Sequence, residues 1–217
     1  MNTVIAWIMS LMVQVAPPER LAAVPQLPGW EETVEEKLER YESIAKDLYE
    51  VAYDPKTRPL YGGERGRAMT AATILGIAFH ESGFAADVDK GPCYREGKFR
   101  ERCDGGRSAC LMQIQIGDGT TALRHGVEGL SQVDLFRDRK ACFRAGLSLV
   151  RRSFASCAKA GSDAKLAAYA SGRCDNPMGI VRSRELLGIA RRFVADRSRI
   201  PGPDTTFLEA VSVLNPS

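Results

Sequence analysis

Three short segments of this chain carry side chains that could take part in catalysis. The first contains Glu81, in an apolar stretch from residue 76 to residue 84, with no lysine or arginine within eight positions on either side of the carboxylate. A carboxylic acid can protonate a poor leaving group when its pKa is raised toward the working pH, and burial among apolar groups has that effect. Glu81 is therefore the candidate general acid, and a structural glutamate at a helix end is the alternative interpretation.

The two other segments follow in order along the chain. Residues 81–82 read Glu-Ser, residues 110–113 read Cys-Leu-Met-Gln, and residues 168–172 read Ala-Tyr-Ala-Ser-Gly. Together they resemble the three signature motifs of the soluble lytic transglycosylases, a branch of the lysozyme-like superfamily. The family has glycine where this chain has Cys110 and asparagine where it has Ala170. The resemblance covers about residues 68–195, and three weak motifs in this order make a specific joint signal.

The resemblance implies a mainly helical, lysozyme-like domain of the goose-type or soluble-transglycosylase kind, with a small irregular or β lip beside the cleft. It implies that Glu81 is the single catalytic residue, acting first as acid and then as base. Ser82, Met112, Gln113 and Tyr169 would bind substrate, and the Tyr169 hydroxyl would point at Glu81. The reaction would cleave the β-1,4 bond between N-acetylmuramic acid and N-acetylglucosamine in peptidoglycan, leaving 1,6-anhydro ends. It needs no metal and no cofactor.

Two other functions stay open beside the transglycosylase. The first is a lysozyme-type hydrolase, for which Asp87 or Asp89 could supply the second carboxylate, although loop turns are the expected setting for both. The second is a catalytically silent structural or wall-binding component. His80 is expected to point away from Glu81 on the helix. The expected partners are peptidoglycan glycan strands, and the expected place of action is the cell envelope or periplasm, reached by a bacterial enzyme or by one carried in a virion.

Hydrophobic periodicity predicts four long helices and a short one. Apolar residues recur at spacings of three and four, which is the pattern of a helix with one buried face. The predicted helices cover about residues 31–53, 67–81, 138–158, 163–169 and 182–197. Ser162 is a candidate N-cap for the short helix. Residues 87–109 are expected to be irregular, and residues 111–116 to form a short strand or the turn that enters one.

The amino-terminal segment has two interpretations. Residues 4–15 are almost entirely apolar, too short to span a bilayer comfortably and of the length of a signal-peptide core. They could equally form an uncleaved helix that docks on an envelope protein, a virion protein or a membrane surface. The expected division is an apolar segment with a proline-rich linker over residues 1–28, the transglycosylase domain over residues 29–200, and a tail over residues 201–217.

Six cysteines lie between residues 93 and 174, at positions 93, 103, 110, 142, 157 and 174. An even count permits three disulfides in 15 arrangements, whereas the lack of a Cys-x-x-Cys pair and the presence of only two histidines argue against zinc. At least one disulfide is expected, with Cys93–Cys103 the first choice, and disulfides imply an oxidising compartment. Buried free thiols in the cytoplasm are the alternative. A loop pinned by this bond would form a lip over the cleft or a surface insertion.

Charge is distributed unevenly along the chain. The net charge is +3, but residues 31–50 carry eight acidic and three basic side chains, whereas residues 137–199 carry fifteen basic and five acidic ones. A basic half could face nucleic acid, anionic lipid or an anionic wall polymer. A solvated arginine-rich surface is the simpler interpretation, and nucleic acid is not the expected partner.

Overall fold

The structure is a computed structural model that describes residues 2–20, 29–91, 103, 107–116, 129–195 and 200–201. It is mainly helical, as predicted. The helices are α1 (Thr3–Val15), α2 (Val34–Ala52), α3 (Gly66–Ser82), α4 (Ala86–Lys90), α5 (Gln132–Arg137), α6 (Arg139–Ser156), α7 (Ala167–Ser171) and α8 (Pro177–Phe193). A 3₁₀ turn covers Ser162–Ala164, and two short strands, β1 (Ser108–Ala109) and β2 (Ile114–Gln115), pair antiparallel.

The apolar amino-terminal segment forms α1 and packs into the hydrophobic core of the chain itself. Asn2 caps the helix by accepting a hydrogen bond from the amide of Val4 at 2.8 Å. Trp7, Ile8 and Met12 are completely buried against α2 and α3. These apolar side chains, which the docking interpretation places against a partner or a membrane surface, are therefore covered from within the molecule. No helix in the described part of the chain is both long and apolar enough to cross a membrane.

Helix α2 confirms the strongest periodic pattern in the sequence, with the first turn beginning three residues later than predicted. Thr33 and Glu36 form a capping box, in which each side chain accepts a hydrogen bond from the backbone amide of the other residue. This reciprocal pair fixes the helix start at Val34. The predicted apolar face is the buried one, with Tyr41, Ile44 and Leu48 fully inaccessible to solvent.

Helices α3 and α8 cross at close range and form the frame that holds the candidate catalytic residue. Gly76 in the middle of α3 permits the approach, because a Cβ at this position would lie 3.2 Å from Cγ2 of Ile189. The predicted bounds of α3 are confirmed to within a residue. Helix α8 begins at Pro177, five residues before the predicted start. Asn176 caps it by accepting a hydrogen bond from the Gly179 amide at 3.0 Å, and proline is favoured at the first helical position.

The region between α4 and α8 is partly helical and partly a hairpin. Helix α6 confirms the predicted segment and is capped by Asp138, whereas α5 immediately before it was not predicted. The predicted helix over residues 163–169 divides into the 3₁₀ turn and α7. Strands β1 and β2 flank a tight turn over residues 110–113, which agrees with the short strand expected there. The loop expected to form the lip, residues 93–103, lies outside the described residues except for Cys103.

Two disulfides are described, and both fasten α6. One joins Cys110 in the tight turn to Cys142 near the start of the helix, and the other joins Cys157 after its end to Cys174. The expectation of at least one disulfide is confirmed. Cys103 is disulfide-bonded, but the partner expected for it, Cys93, lies outside the described residues. The free-thiol alternative is wrong for all the described cysteines.

Candidate active site

Glu81 lies in the last turn of α3, whose end is shaped by the two residues that follow. The Ser82 hydroxyl donates to the Ala78 carbonyl at 2.6 Å and accepts from the Phe84 amide at 3.2 Å. Gly83 and Phe84 then turn the chain through positive φ values of 57° and 55°. Ser82 is buried and its hydroxyl is occupied by these bonds, so its observed role is to end the helix. This ending leaves the Glu81 side chain 16% exposed at the surface of the core.

The surroundings of the Glu81 carboxylate are more polar than the sequence predicts. Arg182 of α8 brings a guanidinium nitrogen to 3.7 Å from one carboxylate oxygen. His80 Nδ1 lies 3.6 Å from the other oxygen, and His80 Nε2 lies 3.7 Å from a carboxylate oxygen of Glu185 on α8. The expectation that His80 points elsewhere is wrong, because the side chain folds back between the two glutamates. The sequence does not predict the position of Arg182, because it is about 100 residues from Glu81 and α8 approaches Glu81 only in the folded chain.

Tyr169 ties three elements together beside Glu81. Its backbone amide donates to the Ser153 hydroxyl at 3.0 Å, and its own hydroxyl donates to the Met112 carbonyl at 2.8 Å. Burial raises the pKa of the phenol well above its ordinary value, and the negative charge of Glu81 raises the pKa further. Tyr169 is thus near enough to Glu81 for an electrostatic interaction between the two side chains. The hydroxyl, expected to point at Glu81, donates to the backbone of the second motif.

The second motif is held by side-chain contacts as well as by the backbone bond to Tyr169. The Met112 side chain is fully buried against α6, where a Cβ at Gly146 would lie 2.5 Å from Cε of Met112. The side-chain amide nitrogen of Gln113, Nε2, donates to the Cys110 carbonyl at 3.0 Å and to Cys103 Sγ at 3.3 Å. Met112 therefore supplies a carbonyl to the site, while the half-buried Gln113 retains an accessible portion of its side chain.

The two glycine positions of the motifs have a common backbone explanation. Cys110, which replaces the family glycine, has φ of 57°, and Gly172, which matches the family, has φ of 76° and ends α7. Both positions need the left-handed conformation that glycine adopts at least cost. The cysteine therefore departs from the motif in residue type but keeps the turn, and its disulfide to Cys142 holds that turn on α6.

The two aspartates considered as a second carboxylate are buried in α4, which corrects the expectation of loop turns. Asp89 accepts hydrogen bonds from the Arg139 guanidinium at 2.7 and 3.0 Å and lies 3.6 Å from a guanidinium nitrogen of Arg40. Asp87 is completely inaccessible to solvent. A carboxylate so occupied is a structural ion-pair partner, and nothing in its setting aims it at a water beside Glu81.

The structure therefore brings together Glu81, Tyr169 and the backbone of Met112 from three separate segments. It adds Arg182, His80 and Glu185, for which the sequence pattern gives no signal. No group of three histidine, cysteine, aspartate or glutamate side chains suited to a metal ion occurs within the described ranges. Comparison of the chain with family models, curated proteins and solved structures gives no match.

Proposed function

We propose that the protein is a peptidoglycan lytic transglycosylase with Glu81 as its single catalytic acid and base. The observation that carries the proposal is the convergence of three motif segments on one place. The Glu81 charge acts on the Tyr169 phenol, and that phenol donates to the Met112 carbonyl. Segments so far apart in the chain have no local reason to meet. Their proximity supports a shared role.

In the first step, Glu81 in its protonated form transfers a proton to the oxygen that links N-acetylmuramic acid to N-acetylglucosamine. The glycosidic C–O bond breaks, and the acetamido group of the substrate stabilises the sugar cation, as in glycosidases that need only one carboxylate. The partial burial of Glu81 supports this role, because a reduced exposure to water strengthens interactions at a reacting group.

In the second step, the ionised Glu81 takes the proton from the 6-hydroxyl of the muramoyl residue. The freed oxygen bonds to the anomeric carbon and closes the 1,6-anhydro ring, which returns Glu81 to its protonated form. Transfer to the internal hydroxyl requires no second carboxylate. Asp89 is hydrogen-bonded to Arg139 and is not free to activate a water, which supports this route over hydrolysis.

The described disulfides favour action in an oxidising compartment, such as a periplasm, reached by an envelope enzyme or by one delivered from a virion. Peptidoglycan glycan strands are the proposed partner. Because α1 is covered by the core of this chain, the structure offers no support for a separate protein or membrane partner on its buried face.

Digestion of purified peptidoglycan tests the function directly. We expect the wild-type protein to release muropeptides with 1,6-anhydro ends, identified by mass, and Glu81→Gln to lower the rate by at least about 100-fold, the usual contribution of a general acid. Glu42→Gln, at an exposed position of α2, is the matched control and should retain full activity.

Three results would contradict the proposal in different ways. Hydrated, reducing ends would show a lysozyme-type hydrolase. Full activity in Glu81→Gln would show that Glu81 is not the catalytic acid. Binding of peptidoglycan by the wild type without cleavage would indicate the silent wall-binding component.

A further inference from the structure

Helix α8 presents two oppositely charged side chains, one turn apart, to the end of α3. Arg182 and Glu185 are spaced by three residues, so they lie on the same face of the helix. Arg182 contacts one oxygen of Glu81 directly, and Glu185 reaches the other oxygen through the His80 imidazole. The carboxylate of Glu81 therefore has a basic group beside each of its two oxygens.

We propose that Arg182 is a positioning residue for Glu81, and that it lowers the barrier to proton donation by stabilising the carboxylate that forms. This inference rests on the proposed function. As the proton leaves Glu81, negative charge develops 3.7 Å from the guanidinium, and a fixed cation at that place stabilises the transition state more than the ground state. Arg182 is half exposed, so water screens the effect and a change of about tenfold is expected rather than a thousandfold.

The effect of Arg182 depends on the other groups around the Glu81 carboxylate. The groups that face Glu81 are His80 from α3, Arg182 from α8 and Tyr169 from α7, with Glu185 behind the imidazole. Removing Arg182 should therefore slow the chemical step with little change in substrate binding, a combination that a purely structural role does not produce.

Steady-state kinetics provide the first test, using the wild type, Arg182→Gln, Arg182→Lys and Arg184→Gln. Arg184 lies on the same helix and pairs with Asp163 at 3.3 Å, away from Glu81, so it is the matched control. For Arg182→Gln we expect kcat to fall about tenfold with little change in KM. Arg182→Lys should restore part of the lost kcat, and Arg184→Gln should behave as wild type.

An unchanged kcat in Arg182→Gln would overturn the proposal. So would a rise in KM at constant kcat, because that result would make Arg182 a substrate contact. Equal thermal stability of the Arg182 and Arg184 variants shows that the comparison is made between folded proteins.

A second measurement needs no substrate and separates this inference from the proposed function. Carbodiimide coupling of an amine to Glu81, quantified by peptide mass, reports the reactivity of the carboxyl group. We expect Arg182→Gln to increase labelling of Glu81 several-fold, because the guanidinium no longer lies against one carboxylate oxygen, and Arg184→Gln to leave it unchanged. Unchanged labelling of Glu81 in both variants would overturn the proposed interaction between Arg182 and Glu81. If the wild type releases no anhydromuropeptides while labelling responds as expected, the proposed function fails and the control of Glu81 by Arg182 stands.

Discussion

At the scale of single residues, Tyr169 connects the catalytic candidate to its surroundings. Its hydroxyl satisfies the carbonyl of the buried Met112, and its amide is held by Ser153. The phenol stays protonated throughout the physiological range, because burial and the charge of Glu81 both raise its pKa. It can therefore act as a hydrogen-bond donor at every pH where the protein would work, and it fixes the second motif relative to α7.

Tyr169→Phe should lower the free energy of unfolding by about 1 kcal/mol, since one buried carbonyl loses its donor. It should also lower the rate of peptidoglycan cleavage, because the turn that carries Gln113 loses an anchor. The matched control is Tyr61→Phe, which removes a hydroxyl bonded to Thr73 at 3.0 Å. Denaturant titration and a cleavage assay of both variants decide the matter. An equal loss of activity in the two would show that general destabilisation, and not the site, is responsible.

At the scale of an element, the turn over residues 110–113 depends on an unfavourable backbone conformation. Cys110 and Gln113 both have positive φ, at 57° and 48°, where a side chain costs energy that glycine avoids. The disulfide from Cys110 to Cys142 spans 32 residues and holds the turn against α6. Loops of that length give a stabilisation of about 4 kcal/mol in the chain-entropy description. The covalent link thus maintains a turn that the residue types alone would disfavour.

Two double variants separate the bond from the backbone conformation. Cys110→Ala with Cys142→Ser and Cys110→Gly with Cys142→Ser both lack the disulfide, and only the second relieves the residue at positive φ. We expect the glycine variant to be more stable than the alanine variant by about 1 kcal/mol in urea unfolding. An alanine variant at least as stable as the glycine variant would show that the conformation at position 110 carries no strain.

The same elements show what the sequence predicts and what it leaves hidden. Helices α2, α3 and α6 follow from periodicity, because each has one face that only burial in a core can satisfy. Helix α8 begins five residues before the predicted start, because Asn176 caps it and Pro177 occupies a first position that proline favours.

The candidate acid and its phenol were predicted from motifs, but the charges around Glu81 were not. Their placement depends on how α8 crosses α3, and that crossing depends on packing at Gly76, which no local pattern reveals. The orientation of the Tyr169 hydroxyl was missed for a similar reason. Its acceptor is a backbone carbonyl, and backbone groups leave no trace in residue type.

At the scale of the whole molecule, the uneven charge of the sequence is partly paired inside the fold. Acidic α2 faces the basic start of α6, where Arg139 binds Asp47 and Lys140 lies 3.1 Å from Glu50. Arg139 also binds Asp89 of α4, so one guanidinium joins three helices. This pairing accounts for part of the asymmetry without a polyanionic partner.

Asp89→Asn should be among the most destabilising conservative changes in the chain. Asp89 and Arg40 are fully buried, and removing the Asp89 charge leaves Arg40 with Glu32 alone and Arg139 with Asp47 alone. Breaking a buried ion pair from one side costs about 3 kcal/mol at the lower end of the usual range. Glu50→Gln breaks the exposed pair with Lys140 and should leave the unfolding midpoint unchanged. Thermal and denaturant unfolding followed by circular dichroism compare the two. A midpoint for Asp89→Asn close to that of the wild type would show that the buried network is not a stability determinant.

The burial of Trp7 in α1 gives the protein an internal optical probe. The chain has only two tryptophans, and the indole of Trp7 is 1% exposed whereas Trp30 is partly open to solvent beside Gly91. With Trp30 replaced by phenylalanine, all indole emission would come from the interface of α1 with the core. The wavelength of maximum emission would distinguish a first helix packed on the core from one that has separated while the rest of the fold persists.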